Sequence, residues 1–232
     1  MYLFLCGGGG CEKHPVVTKK MIEVMDHSKP ILYIPLADDH DVFPKQFHLD
    51  WIAGELAPIE NGGIDMVSSF EELAEVDLNK YGVLYIGGGN TYQLIKGIKE
   101  FGIYNKILDY LNNGGVVNGS SAGAVIFGKN VDAIASMDDN IVGLSDFTAF
   151  DFADGYSIFP HYMNYSSSAT EDEKATLRKK YTDALIDFTR DGEKVFAIPE
   201  EDAVFVSGDG VCVIGDRPYY IFKDGKYEEF QL

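Results

Sequence analysis

At 232 residues, 46% of them apolar, the chain can bury one sizeable core, and a single domain over residues 1–232 is expected. Its 37 acidic and 19 basic residues give a formal charge of −18, with no basic cluster, which argues against nucleic acid or an anionic membrane surface as partner. Cys6, Cys11 and Cys212 are too sparse for a disulfide framework, the opening Met1–Cys6 lacks a signal segment's basic start and length, and no stretch approaches the roughly 18 apolar residues of a membrane span, so a cytoplasmic protein is expected.

Tyr2 to Cys6 is a continuous apolar run broken by Gly7 to Gly10, and helical spacing follows through Val17, Met21, Ile22 and Met25. Ile31 to Leu36 repeats the apolar run, and Phe43 to Leu56 reads as a helix carrying the single tryptophan, Trp51. A short strand at Ile64 to Val67 and a brief helix around Phe70 to Leu73 come next. Val83 to Ile86 is a further strand, ending in Gly87-Gly88-Gly89-Asn90-Thr91, after which helices run through Leu94, Ile95 and Ile98 and over Ile103 to Leu111. Val131 to Tyr156 has no clear period and reads as loop and short strands folded over the site. Glu171 to Arg190 is a charged helix, and Lys194 onward gives short β runs with hairpin turns at Gly208-Asp209-Gly210 and Asp224-Gly225. Wholly apolar strands alternating with helices predict a three-layer α/β fold with a mostly parallel sheet and C-terminal β-hairpins, with ligands beyond the strands' C-terminal ends.

The chemistry centres on the stretch from Gly115 to Ala124. Val116 and Val117 read as a buried strand, and Gly119-Ser120-Ser121-Ala122-Gly123 fits the G-x-S-x-G elbow, in which a serine sits on a cramped turn before a helix. A glycine-rich packing turn is the bland alternative. In the catalytic reading Ser121 is the nucleophile, the N–H of Ala122 donates to a developing oxyanion, and Gly88 supplies the second donor. A serine needs a base oriented by a carboxylate. His161, in Phe159-Pro160-His161-Tyr162, is the histidine C-terminal to the elbow, and Glu200 follows Ile198-Pro199 at a strand end; Asp138 is the alternative acid. Asn90, Asp39 and His40 lie on rim loops and are candidate substrate-lining residues. Cys6, Cys11 and His14 match no zinc spacing, and Gly7 to Gly10 lacks a phosphate-binding G-x-G-x-x-G, so neither a zinc site nor a phosphate cradle is read there.

Four motifs together resemble peptidase E, the aspartyl dipeptidase family to which cyanophycinases are related. They are Ile-Gly-Gly-Gly-Asn-Thr-Tyr-Gln-Leu at 86–94, Gly-x-Ser-Ala-Gly-Ala at 119–124, Pro-His-Tyr at 160–162 and Ile-Pro-Glu at 198–200. The resemblance implies a fold akin to class I glutamine amidotransferases and the flavodoxin-like group, a serine hydrolase acting on small peptides, and no metal or organic cofactor. It matches Ser121 to the nucleophile, His161 to the base and Glu200 to the third member, while Asp138 falls near a family aspartate. Where aspartyl dipeptidases carry a Gly-Glu-Thr-Arg-like segment, this chain has Ser166 to Glu173, and Arg178 is the nearest arginine, which leaves a preference for N-terminal aspartate open. Competing readings are a cyanophycinase-like amide hydrolase and a non-catalytic flavodoxin-like binding module.

Overall fold

Successive residues of a strand face opposite sides of its sheet, so a strand that is apolar throughout needs cover on both sides. In β1 (Tyr2–Cys6) Leu3 and Leu5 enter one core, while Phe4 and Cys6 enter another with α1 (Pro15–Val24). The same division holds in β2 (Ile31–Ile34), where Leu32 and Ile34 oppose Ile31 and Tyr33. The computed structural model describes residues 1–37, 44–57 and 59–232. Within them α2 spans Lys45–Leu56, so the sequence-predicted start at Phe43 lies outside the described residues. Then come β3 (Ile64–Met66), α3 (Phe70–Glu75), β4 (Val83–Ile86), α4 (Thr91–Glu100), α5 (Ile103–Asn112), β5 (Val116–Ser120) and the single turn α6 (Ala122–Val125).

After α6 the chain forms β6 (Ser157–Phe159), α7 (Glu171–Phe188), β7 (Lys194–Ala197), β8 (Ala203–Ser207), β9 (Gly210–Ile214), β10 (Tyr219–Lys223) and β11 (Lys226–Phe230). The main sheet has the order β3-β2-β4-β5-β1-β8-β9, parallel from β3 to β1 and antiparallel beyond. A second sheet has the order β11-β10-β7-β6, with β6 and β7 parallel. Both predicted hairpins form, but they go to different sheets: β8–β9 extends the parallel sheet and β10–β11 the smaller one.

Register decides what the fold presents. Cys6 pairs with Ser120, Ile86 with Gly119 and Ile34 with Ile86, so β1, β2, β4 and β5 end at a common rim. Phe159 pairs with Ala197, so His161 and Glu200 leave the second sheet side by side. The stretch 131–156 differs from expectation. It holds a 3-10 turn (Val131–Ile134), and its phenylalanines pack inward, Phe150 stacking on Tyr104 at 4.2 Å and on Phe127 at 4.9 Å. None of its residues lines the cleft at the rim, because its aromatic side chains gain more by entering the core than by covering the opening. Among the described residues no helix is long and apolar enough to cross a membrane.

Candidate active site

Ser121 stands where β5 turns into α6, with φ 53° and ψ −113°, a conformation that costs energy for any residue with a Cβ. Three backbone hydrogen bonds hold it there. Its N–H donates to Cys6 O at 3.1 Å, and its carbonyl accepts from Ala124 N at 2.8 Å and Val125 N at 3.0 Å. The flanking glycines are steric necessities: a Cβ on Gly119 would lie 2.2 Å from Gly123 O, and one on Gly123 would lie 2.2 Å from Ile86 O. Because α6 is only four residues long, the local N–H groups at its start, rather than a long macrodipole, supply the positive field.

His161 also has a left-handed backbone, at φ 56°, fixed by donation from its N–H to Gly7 O at 2.9 Å. The end of β1 therefore positions both residues, through Cys6 O and Gly7 O. His161 Nε2 lies 2.8 Å from Ser121 Oγ and Nδ1 lies 2.8 Å from Glu200 Oε1. The hydrogen bond from His161 holds the Glu200 carboxyl down at about 2, with help from Lys13 and against the effect of burial. An ionised carboxylate only accepts, so Nδ1 must donate to it, which leaves Nε2 of the neutral ring to accept the Ser121 hydroxyl proton. Gly8, at φ +130°, runs beneath the ring, and a Cβ there would stand 2.2 Å from His161 Cε1.

Two contributors carried no sequence signal. Lys13, from the loop before α1, pairs with Glu200 Oε2, and Asn164 Oδ1 accepts from Glu200 N at 2.8 Å. Lys13 lies 187 residues from its partner in sequence, so only the tertiary structure brings them together.

Of the remaining sequence candidates, Gly88 lies beside Ser121, where a Cβ would stand 3.1 Å from the serine Cβ and 3.6 Å from Oγ. Neither the Gly88 nor the Ala122 N–H has a hydrogen-bond acceptor among the described residues. Asp138 is elsewhere: its carboxylate accepts from Thr91 N at 2.8 Å, capping α4. Asn90 caps the same helix through Gln93 N at 3.0 Å and is absent from the described cleft lining, since its side chain is already committed to the backbone. Asp39 and His40 lie outside the described residues. His14 Nδ1 sits 3.2 Å from Thr18 Oγ1, burial pushes the Cys11 thiol up to about 11, and no group of three or more metal-ligating side chains converges among the described residues. Ser121 and His161 open into a cleft of about 390 Å³ walled by Tyr33, Phe47, His48 and Trp51, with Gly8–Gly10 and Gly88–Gly89 at its edges.

The model of peptidase family S51 matches residues 3–214. The chain belongs to peptidase family S51. This S51 protein is a serine-type peptidase, as the resemblance to peptidase E implies. An uncharacterized peptidase of Listeria monocytogenes is 29% identical to it over 187 residues, 78% of this chain and 83% of the relative. Peptidase E of Shewanella sp. strain ANA-3 is 31% identical over 141 residues, 60% of this chain and 56% of that protein. In structure, a peptidase from an acI-B1 actinobacterium matches with a TM-score of 0.69 at 18% identity, over 99% of this chain and 93% of the other. A Listeria monocytogenes EGD-e protein bearing the peptidase E name gives 0.65 at 22%, over 92% and 98%. The S51 peptidase thus has the three-layer α/β fold that its strand and helix pattern predicts.

Proposed function

We propose that this S51 peptidase hydrolyses small peptides, dipeptides among them, through an acyl-enzyme formed on Ser121 by a Ser121–His161–Glu200 triad. The observation that carries this reading is the unbroken hydrogen-bonded chain from Oγ to Nε2 and from Nδ1 to Oε1, at 2.8 Å in each link, on the edge of the cleft. Ser121 Oγ attacks the peptide carbonyl as His161 Nε2 takes its proton, and Glu200 stabilises the imidazolium that results. The Gly88 and Ala122 N–H groups receive the negative charge on the tetrahedral oxygen. His161 then gives its proton to the departing amine, breaking the C–N bond. Water, deprotonated by the same nitrogen, attacks the ester, and collapse of the second intermediate releases the acid and restores the Ser121 hydroxyl.

The cleft volume suits a peptide of a few residues, and the charge of −18 favours such a partner over nucleic acid or an anionic membrane. Cys6, Cys11 and Cys212 are free thiols, which supports a reducing, cytoplasmic setting. Mass spectrometry after treatment with a reactive phosphonate tests the nucleophile: the adduct is expected on Ser121. An adduct on Ser120, or no adduct in an enzyme that turns over peptides, rejects the assignment.

A further inference from the structure

The lining of the cleft speaks to which residue the acyl-enzyme carries, an inference that rests on the Ser121 reading above. Tyr33 lies at the rim end of β2, and Phe47, His48 and Trp51 share one side of α2 at helical spacing. The Tyr33 and Trp51 rings are 5.8 Å apart, and Phe47 meets His48 edge-on at 5.8 Å. Phe47 is nonetheless 50% exposed at the mouth of the cleft, an apolar ring that a bound apolar group would cover.

No described residue lining this cleft is a lysine or an arginine. Arg178, Arg190 and Arg217, the arginines of this chain, belong to α7, the turn after it and the β9–β10 turn. Lys13 is engaged by Glu200, and the sequence from 38 to 43 contains neither basic residue. A substrate carboxylate placed here would lose hydration without gaining a permanent cation, in a protein already at −18.

Geometry also assigns the side. Tyr33 stands against Gly87, 3.4 Å from where a Cβ there would lie, so the aromatic wall rises on the Gly88 side of the serine. The loop Gly7–Gly10 runs from the His161 ring, which lies over Gly8, to Glu55 of α2, which lies against Gly10. The leaving amine must depart past His161, which protonates it, and this leaves the side chain of the acyl residue facing Tyr33 and Trp51. We infer that the residue whose carbonyl Ser121 attacks carries an aromatic or large apolar side chain, and that an acidic one is rejected.

The test compares α-aminoalkyl diphenyl phosphonates bearing the side chains of phenylalanine, glycine and aspartate, with second-order rates of adduct formation read at Ser121 by mass spectrometry. The phenylalanine reagent should react about 100-fold faster than the aspartate one, a discrimination within reach of a pocket that desolvates its ligand. In Trp51→Ala and Phe47→Ala the phenylalanine-to-glycine rate ratio should fall about 10-fold. Phe47 is exposed, so its variant keeps the test open should Trp51→Ala fail to fold. Equal rates for phenylalanine and aspartate reagents, or ratios unchanged in the folded variants, overturn the inference and leave Ser121 as nucleophile. No adduct from any of the three overturns the nucleophile assignment itself, and this inference with it.

Discussion

Glu200 receives His161 on one oxygen and Lys13 on the other, so its side chain is oriented from both ends. Its carboxyl sits at about 2 instead of the ordinary 4.5. Because the folded value is the lower one, the stabilisation is complete above about pH 4.5 and is lost as pH falls towards 2. Lys13→Met removes one of the groups that depress this value, so the Glu200 titration followed by carboxyl 13C NMR should move up by about half to one pH unit; Lys13 is largely exposed, and screening keeps the shift small. An unmoved Glu200 titration would show that His161 alone sets the carboxylate. Glu200→Gln keeps a side chain able to hold the ring but loses the charge. Ser121→Ala should cost roughly 10⁶-fold in kcat, and Glu200→Gln about 100-fold less. On the proposed triad, adding His161→Ala to Ser121→Ala should change little, because residues that act as a unit lose their effects together. Steady-state kinetics on one dipeptide decide both points.

At the scale of elements, the site is where three loops of the parallel sheet meet two loops of the smaller sheet. Gly88 enters from the β4 loop, and Gly88→Val would crowd the Ser121 side chain from 3.1 Å. Circular dichroism should remain native while kcat falls about 100- to 1,000-fold, the usual cost of losing an oxyanion donor, because the added side chain keeps the substrate oxygen from reaching the N–H at position 88. Full turnover in a folded variant would remove Gly88 from the site. The β4 and β5 loops were legible because glycines at fixed offsets from apolar runs report steric needs local to the chain, as Gly119 and Gly123 do. The pairing of β6 with β7 was not legible, for Ser157–Phe159 is three residues long and its partner lies beyond an 18-residue helix. That pairing sets His161 beside Glu200, so sequence motifs could nominate both residues but could not choose between Glu200 and Asp138. Asp138 proved to be a cap on α4, a role that a short polar side chain in an irregular stretch does not advertise.

Across the whole molecule, the β1 end that steadies Ser121 and His161 is itself tied to the buried Asp202, whose carbonyl accepts from Gly7 N at 2.9 Å. Asp202 Oδ1 accepts from Asp216 N at 3.0 Å and Arg217 N at 3.2 Å, while Oδ2 is buried without a hydrogen-bond partner among the described residues. Burial raises this carboxyl from 3.8 to about 6. Here the sign is opposite to that of Glu200: the folded protein holds the proton more tightly, so stability falls as pH rises from about 4 to 6, by up to about 3 kcal/mol. Repulsion within a chain of charge −18 acts in the same direction over this range, and salt screens it. Asp202→Asn keeps the Oδ1 acceptor, removes the titration and leaves the overall repulsion nearly intact. Urea unfolding of wild type and variant at matched salt should therefore give a stability difference that grows in favour of the variant between pH 4 and 6 and is constant above about pH 7. A difference independent of pH would mean that Asp202 ionises in the fold as readily as it does in the unfolded chain, and that general charge repulsion alone governs the decline.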